Sequence, residues 1–213
     1  MRTLASLWCL DPAVDYLNHG SFGACPSAVL AVQADLRLEL EREPVDFLVA
    51  KLPQRLNAAR EALAGFLGAA AEDLVFISNA TAGVNAVLRS LDFAPGDEIL
   101  ITNLAYGAVA KAARFVAART GARLVEATIP LPLADPDTVI ERVAAVLSPR
   151  VRLAVFDHIA STSALVLPVV QLTALAKKAG ARVLIDGAHA PGKCRSRCRQ
   201  SAPIGMSAIA TNG

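Results

Sequence analysis

No Gly-x-Gly-x-x-Gly follows any apolar strand-like run of this sequence, which weakens a dinucleotide-binding reading. It also lacks a Gly-x-x-x-x-Gly-Lys-Ser/Thr phosphate loop and a Gly-x-Ser-x-Gly nucleophile elbow. Charge is scarce: 19% of residues are charged and the net charge is +2. Nothing in that balance draws the chain to nucleic acid or to an anionic membrane. The four cysteines, Cys9, Cys25, Cys194 and Cys198, have no framework spacing, against a disulfide-built secreted module. Cys194 and Cys198 lack a second Cys/His pair for a structural metal site. The opening run, Met1 to Leu10, is broken by Asp11; it is too short to span a bilayer and lacks a signal-peptide cleavage site. A cytoplasmic protein is the expectation.

What is present is apolar and helix-rich. With 213 residues, 54% of them hydrophobic, the chain has enough material for the core of one α/β domain. The last 21 residues differ in kind. From Lys193 onward come Lys193, Arg195, Arg197 and Arg199 with no acid, whereas the preceding chain carries 17 bases against 19 acids.

Short β-favouring runs alternate with Ala- and Leu-rich stretches. Helices are expected over Pro26–Glu43, where Val29, Val32, Leu36 and Leu40 recur at helical spacing, and over Gln54–Leu67, ended by Gly68. Leu74–Ile77 reads as a short strand, followed by Ser78-Asn79-Ala80-Thr81 as capping residues and a helix to about Leu91. After the Pro95-Gly96-Asp97 turn, strands are expected over 98–102, 123–129, 152–156 and 182–185. Helices are expected over 107–119, 136–147 and 169–179. This alternation requires crossover connections, hence a mainly parallel sheet. The continuously apolar runs, such as Val183-Leu184-Ile185, suit a sheet covered on both faces. The expected fold is a doubly wound α/β domain.

Open parallel sheets bind ligands beyond the carboxyl ends of their strands, so the polar residues there are the candidates. Ser78-Asn79-Ala80-Thr81-Ala82-Gly83 opens a helix and offers free N–H groups to a phosphate; the alternative is an ordinary N-cap. Asp186 leaves a buried strand, where a carboxylate needs a cationic partner. A protonated pyridine nitrogen is one such partner; an arginine, or a helix to be capped, is the alternative. His189 in the same loop serves a ligand or the structure. Tyr106 stacks on a flat ring or packs on the sheet rim.

Taken in order, Tyr16-Leu17-Asn18-His19-Gly20-Ser21-Phe22-Gly23, Glu43-Pro44-Val45-Asp46-Phe47-Leu48, Asn79-Ala80-Thr81-Ala82-Gly83, Asp157-His158-Ile159-Ala160-Ser161 and Asp186-Gly187-Ala188-His189-Ala190-Pro191-Gly192 resemble the class V aminotransferases, in their isopenicillin N epimerase-like branch. The likeness runs from about Leu7 to Gly192. It implies a fold-type-I, pyridoxal 5'-phosphate-dependent homodimer with an active site between subunits, acting on an amino acid or amino-acid-derived substrate. It implies that Ala80 and Thr81 hold the phosphate, Tyr106 covers the ring and Asp186 pairs with the ring nitrogen. His189 and Ser161 would face the phenolic oxygen, and Asn18 and His19 would lie near the substrate. Residues 1–48 would serve the small domain and substrate mouth, and 49–192 the cofactor-binding large domain. No nucleic acid, membrane or metal partner is implied.

The family continues into a segment like Gly-Ala-Asp-Trp-Tyr and then a His-Lys-Trp whose lysine bonds the cofactor; here the 193–213 tail stands instead. The expectation is therefore that no catalytic lysine is present and that the chain as written is inactive. Back-translated one nucleotide out of register from Cys194, the tail permits a string containing both segments, with Thr211-Asn212-Gly213 becoming His-Lys-Trp. A single-base deletion accounts for that; a natural basic tail is the alternative. Three other readings stay open: a cysteine desulfurase or lyase, although Cys9 and Cys25 do not match that chemistry's cysteine; a non-catalytic fragment; and a nucleotide- or adenosylmethionine-binding domain.

Overall fold

The computed structural model describes residues 4–193 and 207–208; the expectations for the tail, including Cys194, Cys198 and Thr211-Asn212-Gly213, fall outside the described residues apart from those positions. The described residues form two compact units, one built from 4–66 and 70–75, the other from 67–69, 76–193 and 207–208. Among the described residues no helix is long and apolar enough to cross a membrane.

The first unit holds α1 (Ser27–Arg42), one π-helical stretch (Asp46–Lys51) and α2 (Leu52–Leu67), whose last residue belongs to the second unit. Glu39 of α1 anchors this arrangement, meeting Lys51 at 3.2 Å and Arg55 at 2.9 Å. Phe47 is the buried residue of the π-helical stretch, and the Arg55 guanidinium lies 5.3 Å from its ring centroid.

The second unit carries the sheet. Strands β1 (Glu98–Thr102), β2 (Arg123–Ala127), β3 (Val151–Asp157), β4 (Arg182–Asp186) and β5 (Ser207–Ala208) lie in the order β2-β1-β3-β4-β5, every neighbouring pair parallel. Helices α3 (Ala80–Ser90), α4 (Gly107–Thr120), α5 (Asp137–Val146) and α6 (Val169–Lys178) cover both faces. One core joins Val84 and Leu88 of α3 and Val109, Ala113 and Val116 of α4 to Ile99, Ile101, Leu153, Val155 and Leu184. The other joins Val139 and Val143 of α5 and Leu172 and Ala176 of α6 to Leu100, Ala154, Phe156, Val183 and Ile185. From Ile99, Leu153 and Val183 onward the strand residues alternate between the two cores, the pleat of a doubly covered sheet that the sequence predicts; Val151, at the register shift between β1 and β3, breaks that alternation.

One expected strand is corrected. Among the described residues Leu74–Ile77 joins no strand ladder, and Val75 and Phe76 stand 75% and 53% exposed. Branched and aromatic side chains favour extended backbone, yet a strand exists only where a neighbouring ladder receives its N–H and C=O groups. The segment Ser78-Asn79 therefore enters α3 from a loop and not from a core strand. The strand expected over 123–129 ends at Ala127, and β3 runs one residue further at each end than expected.

Candidate cofactor site

The direction of α3 places the site. Its last residue, Ser90, lines a cavity together with Arg152 and Arg182, which sit at the amino ends of β3 and β4. α3 is about 16 Å long, as is a five-residue strand. Its N-terminus, Ala80, therefore reaches the carboxyl edge, the edge at which β3 and β4 end in Asp157 and Asp186.

The pleat fixes which face the acids take. Leu153 and Val155 belong to the core under α3 and α4, and Asp157 is the next residue on that face. Leu184 packs in the same core, so Asp186 faces the same way. A helix N-terminus and two strand-end carboxylates thus share one face and one edge of the sheet.

At the helix mouth, the Asn79 side chain accepts from the N–H of Ala82 at 2.8 Å. The N–H groups of Ala80 and Thr81, the first two residues of α3, have no acceptor within the helix. Both residues are half-buried and carry small side chains, so an incoming phosphate can approach the backbone. Gly83, one turn in, is buried against the core.

Asp186 is 5% exposed. Its Oδ1 accepts from the N–H of Ala188 at 3.1 Å, and among the described residues no lysine or arginine forms an ion pair with it. Burial pushes its carboxyl above the ordinary range; the Ala188 N–H and the half-buried His189 pull the other way and do not restore it. A buried acid in that state has a compensating positive charge too weak to offset its burial.

Asp157, 4% exposed, is the register partner of Asp186 on the next strand. Its carboxyl is pushed up to about 7 by burial first and by the Asp186 charge second. Its Oδ1 accepts from the backbone N–H of Tyr106 at 3.2 Å. Tyr106 is the residue preceding α4 and its side chain is 47% exposed. The segment leading to it is held as well: Asn103 donates from Nδ2 to the carbonyl of Ile129 at 3.1 Å and accepts at Oδ1 from the Ile129 N–H at 2.8 Å.

Ser161 sits exposed at the tip of a small hairpin-like loop after β3. That loop is closed by hydrogen bonds from Ala160 to Leu165 and from Leu167 to His158. Asn18 and His19 lie in the first unit. The Asn18 carbonyl accepts from Ser21 and Phe22, and the His19 ring lies 4.9 Å from Tyr16 and 5.7 Å from Trp8. Of the expected site residues, the structure thus brings Ala80, Thr81 and Asp186 to one edge and face, with Tyr106 tied to the neighbouring Asp157. Asp157 and Asn103 are the polar anchors that the sequence reading did not select. Their strand-end positions were visible, but their partners, 51 and 26 residues away, were not.

A sheet of this kind, with an open helix end and a buried acid without a lysine or arginine partner among the described residues at one mouth, is an α/β domain whose mouth suits a small phosphate-bearing, cationic ligand. The chain belongs to the aminotransferase class-V family, whose model matches residues 41–201. It is 40% identical over 186 residues to an isopenicillin N epimerase of Amycolatopsis lactamdurans, covering 86% of this chain and 46% of that protein. It is 30% identical over 194 residues to an L-cysteine desulfhydrase of Arabidopsis thaliana, covering 84% and 43%. Among solved structures, the cystine C–S lyase C-DES in complex with its reaction product cysteine persulfide superposes with a TM-score of 0.79 at 26% identity, over 88% of this chain and 51% of that one. A C-DES variant with glycine covalently linked to its pyridoxal-phosphate cofactor gives the same TM-score and identity, over 88% and 50%. The architecture is that of the fold-type-I pyridoxal-phosphate enzymes. The chain spans about half the length of the curated relatives it matches.

Pyridoxal phosphate is the cofactor of this family, and the donor set fits it. The helix end would offer N–H groups and a positive dipole to a phosphate, and Asp186 would offer the counter-charge to a protonated ring nitrogen.

Proposed function

We propose that this chain forms the cofactor-cradling part of a pyridoxal-phosphate enzyme that acts on an amino acid or an amino-acid-derived substrate. The observation that carries the proposal is the buried carboxylate of Asp186, without a lysine or arginine partner among the described residues, on the face and edge shared with the α3 N-terminus. When bound, pyridoxal phosphate supplies an electron sink that stabilises negative charge at a substrate's α-carbon. Asp186 keeps a proton on the ring nitrogen, the state in which that sink is strongest. The Ala80 and Thr81 N–H groups hold the phosphate, Tyr106 covers the ring, and His189 and Ser161 serve the phenolic oxygen. Asn18 and His19 act on the substrate side, and the working protein is a homodimer.

The reaction branch follows the relatives: epimerisation, transamination or lyase chemistry at the α-carbon, differing in where the proton goes. The 40% identity to an isopenicillin N epimerase favours the epimerase-like branch. The likeness to C-DES and to a desulfhydrase supports C–S lyase chemistry as the second reading.

The test is titration of the purified chain with pyridoxal phosphate, followed by its near-ultraviolet and visible absorption and by calorimetry, for wild type and Asp186→Ala. Binding by wild type, weakened about tenfold or more in the variant as a charge-assisted contact requires, supports the reading. Tight binding of a dinucleotide with none of pyridoxal phosphate overturns it.

A further inference from the structure

We propose that Asp157 is a positioning residue of this site: it ties the turn that carries Tyr106 to the end of β3, one strand away from Asp186, and thereby fixes Tyr106 relative to the acid that meets the cofactor ring. The inference rests on the cofactor reading above and adds a role for a residue that the reading does not use.

A strand covered on both faces takes an apolar residue at each inward position at no electrostatic cost. Position 157 holds an acid instead, nearly fully buried and in register with a second buried acid. Strands in a parallel sheet lie about 4.8 Å apart, so two such carboxyls oppose each other's ionisation. Among the described residues no lysine or arginine pairs with Asp157. Its hydrogen-bond partner is the backbone N–H of Tyr106. That bond crosses from β3 to the turn between β1 and α4, where Tyr106 has no capping side chain of its own. The turn is held from within as well, since Ala105 donates to the Thr102 carbonyl at 3.1 Å and Leu104 to the Thr102 hydroxyl at 3.3 Å. With Asn103 bonded to Ile129, the Asp157 contact completes the restraint on the residue that bears the aromatic ring.

The titratable groups around Asp157 are Asp186 on β4, His158 and His189 in the loops after β3 and β4, and the Tyr106 phenol. β1 ends in uncharged Thr102, and the first turns of α3 and α4 contain no ionisable residue. With its carboxyl raised to about 7, Asp157 holds its proton for part of the time near neutrality. A protonated carboxyl still accepts the Tyr106 N–H through its carbonyl oxygen. Asp157 can therefore hold the turn without placing a full second negative charge beside Asp186. Asp157→Asn copies that neutral state, keeping an oxygen for the N–H; Asp157→Ala removes both.

The chain has two tyrosines, Tyr16 and Tyr106, so selective 15N-tyrosine labelling gives two amide signals. The expected result is a Tyr106 amide shift that titrates with an inflection near the raised carboxyl value of about 7 and does so no longer in Asp157→Asn. Amide exchange at Tyr106 should rise roughly tenfold or more in Asp157→Ala while Asp157→Asn keeps its protection, and Tyr16, in the first unit, serves as the reference signal. Pyridoxal-phosphate affinity should fall about tenfold in Asp157→Ala and stay within about threefold in Asp157→Asn. A Tyr106 signal indifferent to pH and to Asp157→Ala overturns the tether. Lost protection with unchanged cofactor affinity reduces Asp157 to a helix cap and overturns its positioning role. Equal loss of affinity in both variants overturns it too, because the Asn variant preserves the contact. If wild type binds no pyridoxal phosphate, the cofactor reading fails and the positioning role with it, while the Tyr106 amide still reports the tether.

Discussion

Asp157 and Asp186 are register partners at the ends of adjacent parallel strands, both nearly fully buried, with no basic side chain paired to either among the described residues. Two acids in that relationship make the folded state sensitive to pH. The carboxyl of Asp157 ionises near 3.8 when unfolded and at about 7 when folded, so between those values the native chain binds more protons than the unfolded one. Its contribution to stability is present in full below the lower value and is lost as pH rises through the higher one, by about 4 kcal/mol at most. Denaturant unfolding at pH 5 and pH 8 should show wild type losing stability across that interval and Asp157→Asn losing markedly less. Parallel curves for the two proteins would contradict the assignment.

At the helix end, Asn79 does two things that substitutions can separate. Asn79→Ala removes the acceptor for the Ala82 N–H and should destabilise the chain by about 1 kcal/mol, read as a lower denaturation midpoint. Asn79→Asp keeps the cap and adds a negative charge where the phosphate is expected. It should retain wild-type stability while weakening pyridoxal-phosphate binding several-fold, a split that calorimetry and thermal melting detect together.

The opposite edge of the sheet is held by Glu98. Its carboxylate, 4% exposed, accepts from the Ser148 hydroxyl at 2.5 Å and from Arg150 Nε at 3.2 Å, joining the starts of β1 and β3. The Arg150 side chain is 65% exposed, so the ion pair itself contributes little and the half-buried hydroxyl contact contributes more. Glu98→Ala, which leaves Ser148 without its acceptor, should cost about 2 kcal/mol, and Glu98→Gln about half that. Chemical denaturation measures both.

Gly121 ends α4 with φ +76°, and an added Cβ would lie 3.3 Å from Cβ and Cγ of Pro95. Its carbonyl accepts from Gly96 at 3.1 Å, so the strained position cannot shift without loosening the turn before β1. Gly121→Ala should lower stability by about 1–2 kcal/mol. A melting temperature unchanged from wild type would show that the turn adapts.

The frame of the second unit was legible in the sequence because its cores are simple. Strands such as Leu153–Phe156 and Val183–Ile185 are continuously apolar, and the helices between them repeat at 3.6, so periodicity found β1 to β4 and α3 to α6 with ends wrong by one or two residues. Leu74–Ile77 misled because composition reports that backbone prefers to be extended, not that a partner strand waits for it. Asp186 was legible as a site residue because an acid following Val183-Leu184-Ile185 conflicts with its surroundings. Asp157 stood in the same position after Phe156, yet its role depends on the Tyr106 N–H, a main-chain group whose location no local pattern encodes. Asn103 was invisible for the same reason.

The paired hydrogen bonds between Asn103 and Ile129 copy the way one peptide group meets another, so the side chain acts as a spare rung of ladder just past the last residues of β1 and β2. The Tyr106 turn therefore surrenders its freedom when the protein folds. A molecule arriving at this mouth meets a wall already in place, and the entropy of ordering that wall is not deducted from its affinity.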